Sequence, residues 1–235
     1  MLGFVSRRPI PIGRYLVEAP RGLLHMSLHG EKAPHRDGFG YAYLDGAGRL
    51  AVCRWGKQAL DLVPAGFPGD LSQETTLLIA HARKASPEYR ERLPAQDAHP
   101  FLVGGFALAH NGGIRDAELL DAGPGIDSLR LARWLARTWR PRTPAALARA
   151  LEKLLTLVHD YTAVNLLLTD GGSLYAFRRC AEKPDYYGLW FHVGPRLVLV
   201  ASEPLADVGW QPLADGELLA IAPDLSLSRY RIPIP

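Results

Sequence analysis

The stretch from 128 to 158 constrains the fold most. Two helical patterns stand there back to back, and strand patterns fill the chain on both sides. Ser128–Arg140 places Leu131, Trp134, Leu135 and Thr138 on one face. Thr143-Pro144 reads as a second helix start, with the threonine as N-cap and the proline in the first turn, where its missing N–H is not needed. The run that follows puts Leu147, Leu151, Leu154, Leu155 and Val158 on one stripe.

Before this pair, Leu2–Val5, Phe39–Leu44, Arg49–Arg54, Thr76–His81 and Gly105–His110 read as strands. Asp45-Gly-Ala-Gly48 joins two of them as a hairpin whose glycines are free to take positive φ. Tyr15–His29 reads as a short helix that Pro20 breaks or restarts. After the pair come Ala163–Thr169, Leu174–Arg179, Gly188–Val193, Arg196–Ala201, Leu218–Ile221 and Ser226–Ile232, again as strands. Strands, a helix pair and strands again specify an α+β fold with antiparallel sheets, not alternating βαβ units. No repeat or low-complexity segment divides the 235 residues, so we expect one domain over 1–235 with no synthase or other acceptor domain.

Composition narrows the function classes. The chain is 48% hydrophobic and 22% charged, as in ordinary globular proteins, and its net charge is only +3 without a basic run. Nucleic acid is therefore not an expected partner. No apolar run approaches the roughly 20 residues that span a bilayer, and Arg7, Arg8, Arg14 and Glu18 interrupt the first 22 residues, so neither a membrane span nor a signal peptide is expected. Two cysteines, Cys53 and Cys180, suit a reducing cytoplasm and make no disulfide framework.

Three segments carry side chains suited to chemistry. Arg83 lies just past an apolar strand and close to Ser86. It is either a surface arginine at a strand end or a guanidinium that grips a carboxylate with two parallel hydrogen bonds, with the hydroxyl adding a third. Asn111-Gly112-Gly113 closes another strand. It is either a β-turn, for which Asn-Gly is a favoured pair, or an oxyanion hole built from an amide side chain and a backbone N–H. Asp127 precedes a helix, where it serves as N-cap, as acceptor for a substrate ammonium, or as both. The glycine loop Arg36-Asp-Gly-Phe-Gly40 lacks the phosphate-loop pattern. The eight histidines show no His-Glu-x-x-His and no Cys/His clustering, so neither a metal nor a cofactor is expected. There is no Gly-x-Ser-x-Gly elbow.

Taken in order, these segments resemble the class II glutamine amidotransferases, a branch of the N-terminal-nucleophile hydrolases. The resemblance runs through Arg36-Asp-Gly-Phe-Gly40, His81-Ala-Arg83 with Ser86, Ala98-His-Pro100, His110-Asn-Gly112 and Ile126-Asp-Ser128. It ends with Ala201-Ser-Glu-Pro-Leu205, Trp210 and Gly216-Glu-Leu-Leu219, similar to the closing motif of small stand-alone members. Leu129 departs from the pattern, which usually has Glu there. The resemblance implies a four-layer αββα sandwich of two antiparallel sheets. It implies that Arg83 and Ser86 bind the α-carboxylate of a glutamyl substrate, that Asp127 binds its α-ammonium, and that Asn111 and Gly112 form the oxyanion hole. The implied reaction is thiolate attack on a γ-carboxamide, with the nucleophile's own α-amine as base. The implied ligand is glutamine or a γ-glutamyl compound, with a separate ammonia-accepting enzyme as the other partner.

The family nucleophile is a cysteine directly after the initiator methionine, whereas this sequence reads Met1-Leu2-Gly3-Phe4. Leu2 cannot attack, and neither Cys53 nor Ser6 has a free α-amine to act as base. Family members open Met-Cys-Arg, one or two residues, then Leu-Gly-Phe or Leu-Gly-Tyr, so Met1-Leu-Gly-Phe resembles the tail of that opening. The expectation is a natural product that begins Met-Cys-Arg-Met-Leu-Gly. The rival expectations are a catalytically dead member that binds a γ-glutamyl ligand, and an interaction module in which Arg83, Asn111 and Asp127 point apart.

Overall fold

A computed structural model describes residues 1–30, 34–56, 71–89, 91 and 93–234. In chain order its main elements are β1 (Leu2–Pro11), α1 (Leu23–His29), β2 (Phe39–Leu44), β3 (Leu50–Trp55), β4 (Glu74–Ala82), β5 (Phe101–Val103) and β6 (Phe106–Ile114). The helices α2 (Asp127–Thr138) and α3 (Pro144–Leu157) follow. Then come β7 (Tyr161–Thr169), β8 (Leu174–Arg178), β9 (Trp190–Val193), β10 (Leu197–Ala201), β11 (Trp210–Pro212), β12 (Glu217–Ile221) and β13 (Leu227–Arg231). One sheet has the order β11-β9-β10-β1-β4-β2-β3 and the other β13-β12-β8-β7-β6-β5, with antiparallel pairing between neighbours.

The period-two alternation of strand side chains sorts the core into three interfaces and so into four layers. Along β7, Leu166 and Leu168 face α2 and α3, where they meet Leu131, Leu135, Leu147, Leu151 and Trp139. Leu167, between them, faces the other sheet and joins Val5, Ile79 and Val200. Along β1, Leu2 and Phe4 turn outward to Leu23 and Met26 of α1. The result is α1, sheet, sheet, α2 with α3: the αββα sandwich that the resemblance implied. No helix among the described residues is long and apolar enough to cross a membrane.

The helix pair forms where its stripes predict. Thr143 Oγ1 accepts from the Ala146 N–H at 3.2 Å, and Pro144 opens α3. Thr143→Ala is expected to cost about 1 kcal/mol and to lower the melting temperature by about 2–4 °C, read by thermal unfolding. The Asp45–Gly48 hairpin also forms: the Asp45 carboxylate accepts from Ala47 and Arg49 N–H, and Gly48 has φ +73°.

Several details depart from the sequence reading. Tyr15–His29 is a π-helical turn at Arg14–Glu18 followed by α1, with the break at Pro20. β1 runs on to Pro11, because beyond Ser6 its register is matched only by β4 and a missing N–H there leaves no ladder donor unfilled on the other side. β5 and β11, at three residues each, are too short for alternation to reveal them. Asn111-Gly112-Gly113 is not a β-turn but part of β6. Asp127 is not an N-cap: Ile126 occupies that position, and Asp127 is the first helical residue.

Candidate active site

The loop that carries Arg36-Asp-Gly-Phe-Gly40 folds onto the end of β4 and fixes Arg83. The Arg83 N–H donates to the Gly38 carbonyl (2.8 Å), and the Asp37 N–H donates to the Arg83 carbonyl (2.9 Å). The Asp37 carboxylate then accepts from the Ala85 N–H at 2.8 Å. Arg83 is thereby taken below the surface, with 4% of its area exposed, so the surface-arginine reading does not hold. Its Nη1 is buried without a hydrogen-bond partner, and no ion pair links its guanidinium to a described residue. Burial lowers the guanidinium pKa, while Asp97, Asp37 and Asp127 pull it back up. A guanidinium stays charged in either case, so the site holds a cation with donors unused.

β6 brings the next two residues. Asn111 and Gly112 lie opposite Asn165 and Val164 of β7, and the register shifts between Gly112 and Ile114. Such bulges re-aim a strand, often beside a site. Gly112 has φ +144°, and a Cβ there would lie 1.9 Å from the Ala163 carbonyl oxygen. Glycine is the only residue this backbone admits.

Asp127 stands at the first turn of α2, where the helix dipole favours a negative charge. One carboxylate oxygen accepts from the Ile114 N–H (2.9 Å) and the other lies 3.3 Å from the Ser128 hydroxyl. Four acceptor sites are not filled by two contacts, so capacity for a cation remains. Beneath it, His110 Nε2 lies 3.1 Å from the Ala163 carbonyl and Nδ1 lies 2.8 Å from the Ser128 hydroxyl. The carbonyl can only accept, so Nε2 donates to it.

All five candidate residues, Arg83, Ser86, Asn111, Gly112 and Asp127, line one cavity of about 430 Å³. Met1 lines it as well, and its ammonium donates to Ser202 Oγ at 2.9 Å. A buried cation and a carboxylate on different walls match the two charged ends of an α-amino acid. Neither thiol lines this cavity: Cys53 is on β3, and Cys180 donates to the Glu182 carbonyl while burial raises its pKa. Among the described residues no group of three or more His, Cys, Asp or Glu is placed to hold a metal ion.

His81 and His99 belong to two of the segments that carry the resemblance, and the sequence assigns them no role. They form a buried pair in the cavity wall, ring centroids 4.5 Å apart, and Nδ1 of both and Nε2 of His99 lack partners. Burial first holds both well below the ordinary histidine pKa, with His99 and the terminal ammonium next at His81, and His110 and Arg83 next at His99. They fold as neutral rings but take up protons when unfolded below about pH 6.5. The stability this gives is therefore complete above that pH and is lost as pH falls, at about 1.4 kcal/mol per pH unit for each ring. A series of unfolding measurements from pH 7.5 to 5 is expected to show this slope, with His99→Asn removing about half of it. An unchanged slope in the variant would overturn the assignment.

No protein-family model matches the chain, and no curated protein matches it. Solved structures do. The glutamine phosphoribosylpyrophosphate amidotransferase from B. subtilis, complexed with ADP and GMP, superposes with a TM-score of 0.70 at 20% identity. That match covers 100% of this chain and 49% of the other, so this chain spans about half the length of that enzyme. A glutamine aminotransferase class-II domain protein from Silicibacter pomeroyi superposes with a TM-score of 0.66 at 18% identity, covering 99% of this chain and 98% of the other.

Proposed function

We propose that this chain, which has the fold of class II glutamine amidotransferase domains, binds the glutamyl head of glutamine or of a γ-glutamyl compound and hydrolyses the γ-carboxamide. The observation that carries this reading is convergence: Arg83, Ser86, Asn111, Gly112 and Asp127 line one cavity with the start of β1. Arg83, with Ser86, takes the α-carboxylate. Asp127 takes the α-ammonium. The Asn111 amide and the Gly112 N–H meet the oxyanion, a contact worth about 3 kcal/mol of barrier per donor.

The nucleophile in this reading is a cysteine two residues ahead of Met1. The strand register supports that position. Leu2 pairs with Ala80 of β4, so continuing the ladder two residues past Met1 brings the chain opposite Arg83. A thiolate there attacks the γ-carbonyl, forming the C–S bond. The tetrahedral intermediate collapses with loss of the C–N bond, and the leaving amine takes the proton that the cysteine's α-amine received from the thiol. Water then cleaves the thioester, giving glutamate and restoring the thiol. The amine is released free or passed to a separate ammonia-accepting enzyme.

Placing Met-Cys-Arg ahead of Met1 is expected to raise ammonia release from glutamine at least a thousandfold over the chain that starts at Met1, read by a coupled glutamate assay. Calorimetric binding of glutamine by both forms, with turnover by neither, would instead favour a binding protein. A stop codon or a sequence without Cys directly upstream of the Met1 codon would count against the natural nucleophile.

A further inference from the structure

The sequence holds two asparagines, and the fold sets them opposite each other. Asn111 of β6 and Asn165 of β7 are register partners, so their side chains share the face turned to the other sheet. Their neighbours on that face, Ala109 and Leu167, are apolar core residues. Asn111 lines the cavity, whereas Asn165 is outside its lining and fully buried. A polar side chain at such a position costs stability unless its hydrogen bonds are made. Both ends of the Asn165 amide are in use. Oδ1 accepts the Arg179 N–H at 3.2 Å, directly after the last residue of β8. Nδ2 donates to the Tyr187 carbonyl at 3.1 Å.

The second bond reaches a segment that belongs to no strand. Between β8 and β9 the chain turns at Lys183, whose φ is +54° and whose carbonyl accepts the Tyr186 and Tyr187 N–H groups at 2.9 and 3.2 Å. Side chains tie this turn to the sheet. Arg178 Nε donates to the same Tyr187 carbonyl at 3.2 Å, and its Nη2 donates to the Pro184 carbonyl at 3.4 Å. The turn puts Lys183, Tyr186 and Tyr187 into the cavity wall. Tyr187 also lines an adjoining recess of about 410 Å³, and Ser86, Gly112 and Asp127 likewise line both spaces. Tyr187 therefore stands with three of the glutamyl-site candidates at the boundary between the cavity and the recess.

We propose that Tyr187 forms a wall of the glutamyl site, and that Asn165 is a positioning residue that acts through it. This rests on the glutamyl reading above. The Asn165 amide fixes the Tyr187 backbone to β7 at the level of Asn111. The oxyanion donors and the aromatic wall are then held by one strand pair. The glutamyl head meets a boundary already in place, which lowers the ordering cost of binding. An apolar residue at position 165 would fill the same space but leave the Tyr187 carbonyl to Arg178 alone.

The test uses the chain starting at Met1 and needs no turnover. Calorimetry with L-glutamine compares the parent with Asn165→Leu, Tyr187→Ala and the double variant, and amide hydrogen exchange follows the turn. Leucine is close to asparagine in shape and suits the apolar face. Asn165→Leu is expected to speed exchange at the Tyr186 and Tyr187 amides about tenfold and to leave the β6 amides unchanged. Each single variant is expected to lower glutamine affinity about tenfold, and the double variant also about tenfold rather than about a hundredfold, because both remove the same wall. A merely structural role for Asn165 would make the two losses add. Asn165→Asp keeps the acceptor for the Arg179 N–H and loses the donor to Tyr187. It gives a second reading if Asn165→Leu does not fold, with the same loss of about tenfold expected. Parent-like glutamine binding by Tyr187→Ala, or by a folded Asn165 variant, overturns the proposal, as do additive losses in the double variant. In each of these cases the parent's own binding leaves the glutamyl reading intact. Failure of the parent to bind glutamine overturns the glutamyl reading itself, and the proposal with it.

Discussion

Gly112→Ala is expected to destabilise the protein by about 4 kcal/mol or more, a fall of about 8–16 °C in melting temperature for a chain of this size, and to abolish glutamine binding. The added methyl would meet the Ala163 carbonyl oxygen at 1.9 Å and its carbon at 2.5 Å. Both are backbone atoms of the neighbouring strand, so no rotamer change relieves the contact. The φ of +144° adds strain of about 1–3 kcal/mol for any residue with a Cβ. Relief requires β6 to move away from β7 at the bulge, and that movement carries Asn111 and the Gly112 N–H out of the cavity wall. Gly113→Ala is the control. Its nearest neighbour would be Thr162 Oγ1 at 3.7 Å, an ordinary contact, so it is expected to melt within about 2 °C of the parent. Thermal unfolding and calorimetry on the two variants read both effects. Equal melting temperatures for the two would overturn the backbone argument.

The second large effect is expected from Arg83→Met, and it separates binding from stability. Two charge-assisted hydrogen bonds to a carboxylate are together worth about 2–3 kcal/mol, so glutamine affinity is expected to fall about 30- to 150-fold. Melting temperature is expected to stay level or rise. The Arg83 Nη1 is buried without a partner, and replacing a buried charge that has an unused donor with an apolar chain of similar length removes a desolvation cost. A residue kept for structure would show the opposite pattern. Unchanged glutamine binding in Arg83→Met, or a loss that merely follows unfolding, would remove Arg83 from the site.

Both predictions concern residues whose local sequence points elsewhere. Asn111-Gly112 has the composition of a β-turn, and only the approach of Ala163, 51 residues later in the chain, explains its glycine as a strand residue. Arg83 follows a strand, as a surface arginine would. It is buried because the loop around Asp37 and Gly38 folds over it, and no spacing rule connects those segments. The Asp127 carboxylate looks like a helix cap but is turned to the Ile114 N–H on β6. His81 and His99 are 18 positions apart and carry no periodicity that would pair them.

The sequence by itself determined the elements and the fold class. Leucine stripes at helical spacing and alternation at strand spacing state which face each element buries, and burial of apolar area is nearly indifferent to the partner that provides it. That was enough for a helix pair between two runs of antiparallel strands, and the order of the polar segments was enough for a family resemblance, which alone implied the four layers. Only the tertiary structure decided that Arg83, Ser86, Asn111, Gly112 and Asp127 share a cavity with the start of β1. Convergence depends on register, on a bulge and on one carbonyl oxygen, all directional and set by strands far apart in the chain, and a pattern of side chains along one segment does not encode them.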